Sequence, residues 1–229
     1  MTSHTASGIA ERLAAVRRRV EQACARAGRD PASVTIVGAS KTHRAGVIVE
    51  AWRAGLRVFG ENRVQEGLAK IAGVREIVGP DSPGPEWHFI GHLQTNKAKA
   101  AAGAFAILHG VDSARLFDTL AATGQPVRTM IEVNVAREAS KHGILPEELG
   151  ALIAHARRLP GVTVEGLMTV APQSANPEDA RPVFRQLREL AREHNLPCLS
   201  MGMTEDFEVA IEEGATHVRI GRALFGERE

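Results

Sequence analysis

The side chain whose neighbours best equip it for chemistry is Lys41, in the stretch 34–43, VTIVGASKTH. An apolar run, 34–37, gives way to small residues, 38–40, and then to this single cation. A continuous Val/Ile run bounded by Gly suits a strand covered on both faces, as in a parallel sheet. Lys41 then projects from the strand's C-terminal end, where parallel α/β folds bind ligands. An amine in a partly dry pocket loses proton affinity, because desolvation disfavours the charged form. Such an amine can attack an aldehyde and hold it as a Schiff base. The same residue also suits a solvated lysine at a strand end, and this stretch alone does not choose.

Other polar residues fall at the ends of expected strands: Glu61 and Asn62, Gly91 and His92, Asp112, Asn134, Met168 and Thr169, Ser200 to Thr204, Arg219 to Arg222. Asp112 or Ser113 reads as the cap of the helix that follows, and Thr204 suits an N-cap as well. The last two ends form a constellation. Thr204 opens an expected helix, 204–213, after the seventh strand, and Gly221 follows Arg219 in the eighth. Loops after strands seven and eight of a barrel commonly hold phosphate. A helix N-terminus supplies free N–H groups, and Gly221 lets an anion approach the backbone, unless it only eases a strand bend. His88 and His92 share a strand face, but no local Asp, Glu or Cys completes a ligand set, so no metal is expected. Cys198 reads as core.

The elements that must carry these residues alternate along the chain. Ile9, Leu13, Val16, Val20 and Ala23 recur at helical spacing, which predicts a leading helix within 1–30. Strands are expected at 34–40, 56–60, 86–91, 105–111, 127–135, 162–170, 196–203 and 217–225, with helices between most of them. A Gly- and Pro-rich connection is expected over 74–85. Eight strands alternating with helices predict a single closed (β/α)8 TIM barrel over 34–226, in one domain spanning 1–229. An open doubly wound sheet competes, but GxGxxG is absent. GASKT lacks the glycines of a P-loop.

Composition narrows the function. The 229 residues carry 28 basic and 27 acidic side chains, a net charge of +1. Nucleic acid and membrane surfaces are not expected partners. Two cysteines outside any ligand spacing argue against disulfides and zinc. The N-terminus lacks the apolar core of a signal peptide, and no stretch is long and apolar enough to span a bilayer, so the expected location is cytoplasmic. There is no tyrosine.

Together the segments SKTH, FGENRVQE, WHFIGHLQTNK, VDS, EVNVAREASKHGI, GLMTVAP, LSMGMTEDFEVAIEEGATHVRIG and ALFGER resemble the pyridoxal phosphate homeostasis proteins, single-domain relatives of the alanine racemase barrel domain. The resemblance runs in order from the first strand to the C-terminus. It implies pyridoxal 5′-phosphate held as a Schiff base on Lys41. It places Asn62 near the cofactor face, with Met168 and Ser200 around the ring and its phosphate side. Arg219 falls against the pyridine nitrogen, and Thr204, Gly221 and Arg222 at the phosphate. Many relatives carry Thr or Ser where this chain has Arg222, so a hydroxyl donor is lost there while the backbone N–H remains. His142 stands where Ser or Thr is common, and no role is attached to it.

Three functions then compete: a carrier that buffers or delivers the cofactor, an amino-acid racemase, and a barrel enzyme for another phosphorylated molecule. A protonated guanidinium at Arg219 can only donate to the ring nitrogen, which weakens the ring as an electron sink. Racemases tolerate a similar arginine. They also pair their lysine with a tyrosine from a second domain, and here neither is found. The expectation is a non-catalytic, monomeric carrier whose partners include apo forms of pyridoxal-phosphate enzymes.

Overall fold

The computed structural model describes residues 4–226. Eight parallel strands close into a barrel in sequence order. They are β1 (Thr35–Ala39), β2 (Val58–Glu61), β3 (Glu86–Phe89), β4 (Ile107–Val111), β5 (Val127–Glu132), β6 (Val162–Met168), β7 (Cys198–Ser200) and β8 (His217–Ile220). The ring closes where β8 pairs with β1, Val37 opposite Arg219 and Gly38 opposite Ile220. Every strand is shorter than the apolar run that announces it, or shifted within it. The flanking residues enter loops at the barrel ends, where the chemistry-bearing side chains lie.

Nine helices are described: α1 (His4–Arg26), α2 (Ala45–Arg53), α3 (Val64–Val78), α4 (Ala98–Ala102), α5 (Ala114–Ala121), α6 (Leu149–Ala156), α7 (Arg181–Glu193), α8 (Phe207–Glu212) and α9 (Arg222–Phe225). The leading helix packs the stripe Ile9, Leu13, Val16 and Val20 into the core that joins helices to barrel. Arg19 lies over the Phe207 ring at 4.4 Å and pairs with Glu208, tying α1 to α8.

Three expectations are corrected, and the choice between two helix caps is decided. The connection expected over 74–85 begins as helix, because α3 runs to Val78 and stops at Gly79 with φ 86°. The helix expected from Thr204 starts at Phe207 instead, because Asp206 accepts the Met203 N–H at 2.6 Å and folds the intervening residues into a turn. The eighth strand ends at Ile220, since Gly221 caps α9. Ser113, not Asp112, caps α5 by accepting the Leu116 N–H at 3.3 Å.

The turn after β1 is held from below. Lys70 Nζ donates to the Ser40 carbonyl at 2.7 Å, to Glu61 at 2.9 Å and to Glu66 at 2.6 Å. Ser40 Oγ donates to Glu61 at 2.6 Å, and Glu66 accepts the Thr42 N–H at 2.7 Å. Thr42 sits at φ 71°, a left-handed conformation that costs a β-branched residue on the order of 1–3 kcal/mol. Burial raises the Glu61 pKa, and the bonds from Ser40 and Lys70 only partly offset it. Burial would raise Glu66 too, but bonds from Lys70 and the Thr42 N–H bring it below its ordinary value. Removing one member of a buried ion pair strands the other, at a cost of about 3–5 kcal/mol. Lys70→Met is therefore expected to lower unfolding stability in urea by about that much, and Lys70→Met with Glu61→Leu by distinctly less. Equal losses in the two variants would show that the pair does not act as a unit.

Candidate cofactor site

An open cavity of ≈ 840 Å³ occupies the C-terminal end of the barrel. Lys41, Asn62, Thr204, Arg219, Gly221 and Arg222 all line it. Six of the eight residues singled out in the sequence thus meet at one place. The other two do not reach its wall. Ser200 is fully buried beneath Arg219, and Met168 is buried in a small inner cluster with Ile107 and Met130. Lys41 is exposed in the turn beyond β1, so its amine stands in an open mouth and not in the dry pocket that the strand-end argument expected. Drying of this amine therefore depends on what fills the cavity.

Arg219 forms the floor. It is 5% exposed, and its Nη1 donates to the Ser200 carbonyl at 2.8 Å and to Ser200 Oγ at 2.7 Å. Nη2 donates to the Thr169 carbonyl at 2.8 Å. These bonds fix the guanidinium plane and leave Nε–H and one hydrogen of Nη2 for a ligand. Desolvation lowers its pKa to about 10, while the carboxylates of Glu132 and Asp206 pull the other way. It remains a cation at neutral pH.

Behind Arg219 a hydrogen-bonded chain crosses the barrel interior. Ser200 Oγ lies 2.8 Å from His109 Nδ1, His109 Nε2 lies 3.0 Å from His88 Nδ1, and His88 Nε2 lies 2.7 Å from Glu86. Burial holds His109 well below its ordinary pKa. The Glu86 carboxylate can only accept, so it selects a proton on Nε2 of His88. His88 Nδ1 then accepts from His109, whose Nδ1 accepts the Ser200 hydroxyl. The bonds thus point one way, from Arg219 to Glu86, and satisfy each buried polar group. The sequence marked His88 only as a weak metal ligand paired with His92. That pairing fails because β3 ends at Phe89, leaving His88 inside and His92 exposed. His109 was missed, since an apolar strand hides a histidine whose partners lie on other strands.

The opposite end offers backbone. Gly221 has φ −107°, and a Cβ there would meet only Ala39, at 3.7 Å. Neither conformation nor protein packing demands glycine at this position, but a side chain would enter the cavity. The Arg222 N–H lies in the first turn of α9, where no intrahelical acceptor exists. The Arg222 side chain is engaged with exposed Glu205 at 2.7 Å. Thr204 belongs to the preceding turn and does not open a helix.

A family profile described as the alanine racemase N-terminal domain matches residues 12–229. The chain is 49% identical to a protein of Aquifex aeolicus named pyridoxal phosphate homeostasis protein, over 96% of this chain and 98% of that one. The chain belongs to the pyridoxal phosphate homeostasis protein family. Among solved structures, PipY of Synechococcus elongatus with PLP bound is 37% identical and superposes with a TM-score of 0.80, covering 95% of this chain and 100% of PipY. Alanine racemase of Corynebacterium glutamicum, 16% identical, has a TM-score of 0.72 over 97% of this chain and 62% of its own, a likeness of fold alone.

One buried group contributes a pH dependence of stability near neutrality. Glu132, at the end of β5, is 7% exposed, and its Oε2 has no hydrogen-bond partner. Burial raises its pKa to about 7, with Asp112 adding to the rise and Arg219 and His92 opposing it. The unfolded chain titrates this carboxyl near its ordinary value, so between there and about 7 the folded state holds more protons. Stability therefore falls as pH rises through that window, by roughly 1.4 kcal/mol per pH unit at most. Glu132→Gln keeps the shape and removes the charge. It is expected to flatten that slope, leaving the variant more stable than the wild type above neutrality in urea unfolding at several pH values. An unchanged slope would place the titration elsewhere.

Proposed function

We propose that this protein binds pyridoxal 5′-phosphate covalently through Lys41 and acts in its homeostasis, buffering or delivering it and not turning over substrate with it. The observation that carries this reading is the convergence of Lys41, the immobilised Arg219 guanidinium and the unfilled space at Gly221 on one cavity. The residues fit the group. Lys41 Nζ supplies an amine that condenses with the aldehyde, expelling one water. Arg219 supplies a fixed donor for the ring nitrogen. The backbone at Gly221 and Arg222, with the Thr204 hydroxyl, supplies donors for the phosphate. Asn62 stands on the β2 side of the ring, and Ser200 acts through Arg219. Met168 serves as buried packing beneath the site.

When bound, the cofactor supplies an electrophilic carbon and a conjugated ring. This chain's own residues restrict the use of both. A permanent cation at Arg219 disfavours protonation of the ring nitrogen, so the ring withdraws electrons less well. Racemisation also needs an acid/base group on each face of the substrate. Lys41 serves one face, and no tyrosine exists to serve the other. The open mouth lets water in, which weakens stabilisation of developing charge. Supporting the same reading, the Aquifex aeolicus relative carries the homeostasis name, and PipY holds PLP. Among the described residues no helix is long and apolar enough to cross a membrane. A cytoplasmic monomer that meets apo-enzymes in solution completes the proposal.

The attachment is tested by loading the protein, reducing it with borohydride and mapping its peptides. The pyridoxyl mass is expected on the peptide holding Lys41, and on no peptide of Lys41→Ala. Its recovery on another lysine with Lys41 unmodified would overturn the assignment.

The lack of turnover is tested by incubating the loaded protein with each common amino acid in deuterated water. No sustained α-proton exchange or change of chirality is expected, while transfer of the cofactor to an apo-enzyme proceeds. Multiple turnovers on any amino acid, lost in Lys41→Ala, would make the protein an enzyme.

A further inference from the structure

Three residues given no chemical role in the sequence meet at the barrel mouth. His92 follows β3, Asp112 follows β4, and His142 lies in the connection between β5 and α6. Each offers one ligand atom, and these atoms all lie within 4.8 Å of one another. His92 Nδ1 is already 3.2 Å from Asp112 Oδ2. The His92 and His142 rings stack with centroids 4.0 Å apart and planes 11° from parallel. No local spacing announces this group, because its members come from three separate loops.

We propose that His92, Asp112 and His142 bind one divalent transition-metal ion of the zinc type. Zinc bonds nitrogen at about 2.0–2.1 Å and carboxylate oxygen at about 2.0–2.2 Å, so tetrahedral ligand atoms lie ~3.3 Å apart. The His92–Asp112 edge has that length. The stacked rings must tilt toward a common point, and both are exposed enough to turn without disturbing the core. Two imidazoles with one carboxylate favour Zn²⁺, Co²⁺, Ni²⁺ or Cu²⁺ over the oxygen-seeking Mg²⁺ and Ca²⁺. Three protein ligands leave a fourth position for water.

The surroundings support the assignment independently. Glu132 and His142 line the same pocket of ≈ 170 Å³, and the buried Glu132 Oε2 has no partner. It offers an acceptor for water held in that pocket. The cation sharing this pocket, Lys141, is engaged with Glu138 at 2.6 Å and the Val170 carbonyl at 3.2 Å. An ion pair of His92 with Asp112 and the stacking of His142 on His92 account for the contacts pairwise; the metal adds a single partner for all three ligand atoms, which lie within 4.8 Å of one another. Val170 also lines the cofactor cavity, so the ion would sit next door to it without using its residues. The proposal does not depend on the cofactor reading.

The experiment uses the untagged full chain, stripped with a chelator. Zn²⁺ is titrated by calorimetry, and Co²⁺ by its visible ligand-field bands in a Lys41→Ala background that carries no cofactor absorbance. One ion per chain is expected, with Co²⁺ band intensities of a tetrahedral or five-coordinate site. His142→Ala and Asp112→Asn should each weaken binding about tenfold or more, the scale on which even outer-shell partners act. His155→Ala, at a half-buried histidine on α6 paired with Asp118, should leave it unchanged. Thermal melting of each metal-free variant confirms that it is folded. Absence of saturable one-to-one binding in the micromolar range would overturn the proposal. So would undiminished affinity in the folded double variant His92→Ala, His142→Ala.

Discussion

The buried pair of Lys70 and Glu61 is the constraint on which the mouth of this barrel depends. Strand β1 can deliver Lys41 to the cavity only if the chain turns sharply at residues 40–42. That turn places Thr42 in a conformation that its branched side chain resists. Lys70 reaches from α3 to the Ser40 carbonyl, and Glu66 from the same helix takes the Thr42 N–H. Glu61, at the end of the neighbouring strand, bonds both Ser40 and Lys70. One ammonium thereby locks the first strand end, the second strand end and the helix that follows them. The position of Lys41 comes from this scaffold and not from its immediate neighbours. A lysine inside the protein builds the turn so that another can stand in the open.

The fold was legible because its signals are local and repeated. Eight apolar runs alternating with helical periodicity leave few alternatives to a parallel barrel. Their C-terminal ends named Lys41, Asn62, Thr204, Arg219, Gly221 and Arg222 on the cavity wall but not the stretch 170–180 after β6, which supplies much of the rest. What failed were readings decided by a single side-chain bond or by partners distant in sequence. Asp112 looked like a cap beside Ser113, yet it meets His92 from another loop. Thr204 looked like a helix start, but Asp206 captures the Met203 N–H and delays the helix. Ser200 and Met168 looked like cavity walls because strand ends usually are. Here β6 and β7 stop with these side chains turned into the packed interior. The resemblance to a family named eight residues, and the structure separates the six that line the cavity from the two buried beneath it.

The interior polar chain explains why the floor of the site is rigid while its mouth is not. Arg219 is desolvated, and its nearest acceptors are carbonyls and a hydroxyl, not a carboxylate. Neutral acceptors hold the guanidinium in one plane without cancelling its charge. Ser200 in turn is oriented by His109, and His109 by His88 and Glu86, so rotating the floor would break several buried bonds together. At the other side, Lys41 is exposed, and Arg222 and Glu205 pair in solvent, where such a contact is worth roughly 0–1 kcal/mol. On the proposed reading, a guanidinium that stays protonated at neutral pH faces the ring nitrogen and keeps the cofactor's electronics quiet. On the same reading, the open mouth lets water reach Lys41, and hydrolysis of the Schiff base there would return the free amine and the intact aldehyde. Strong positioning joined to weak electronic activation and open access is the combination a reversible holder requires, and each part of it traces to a different end of the same eight strands.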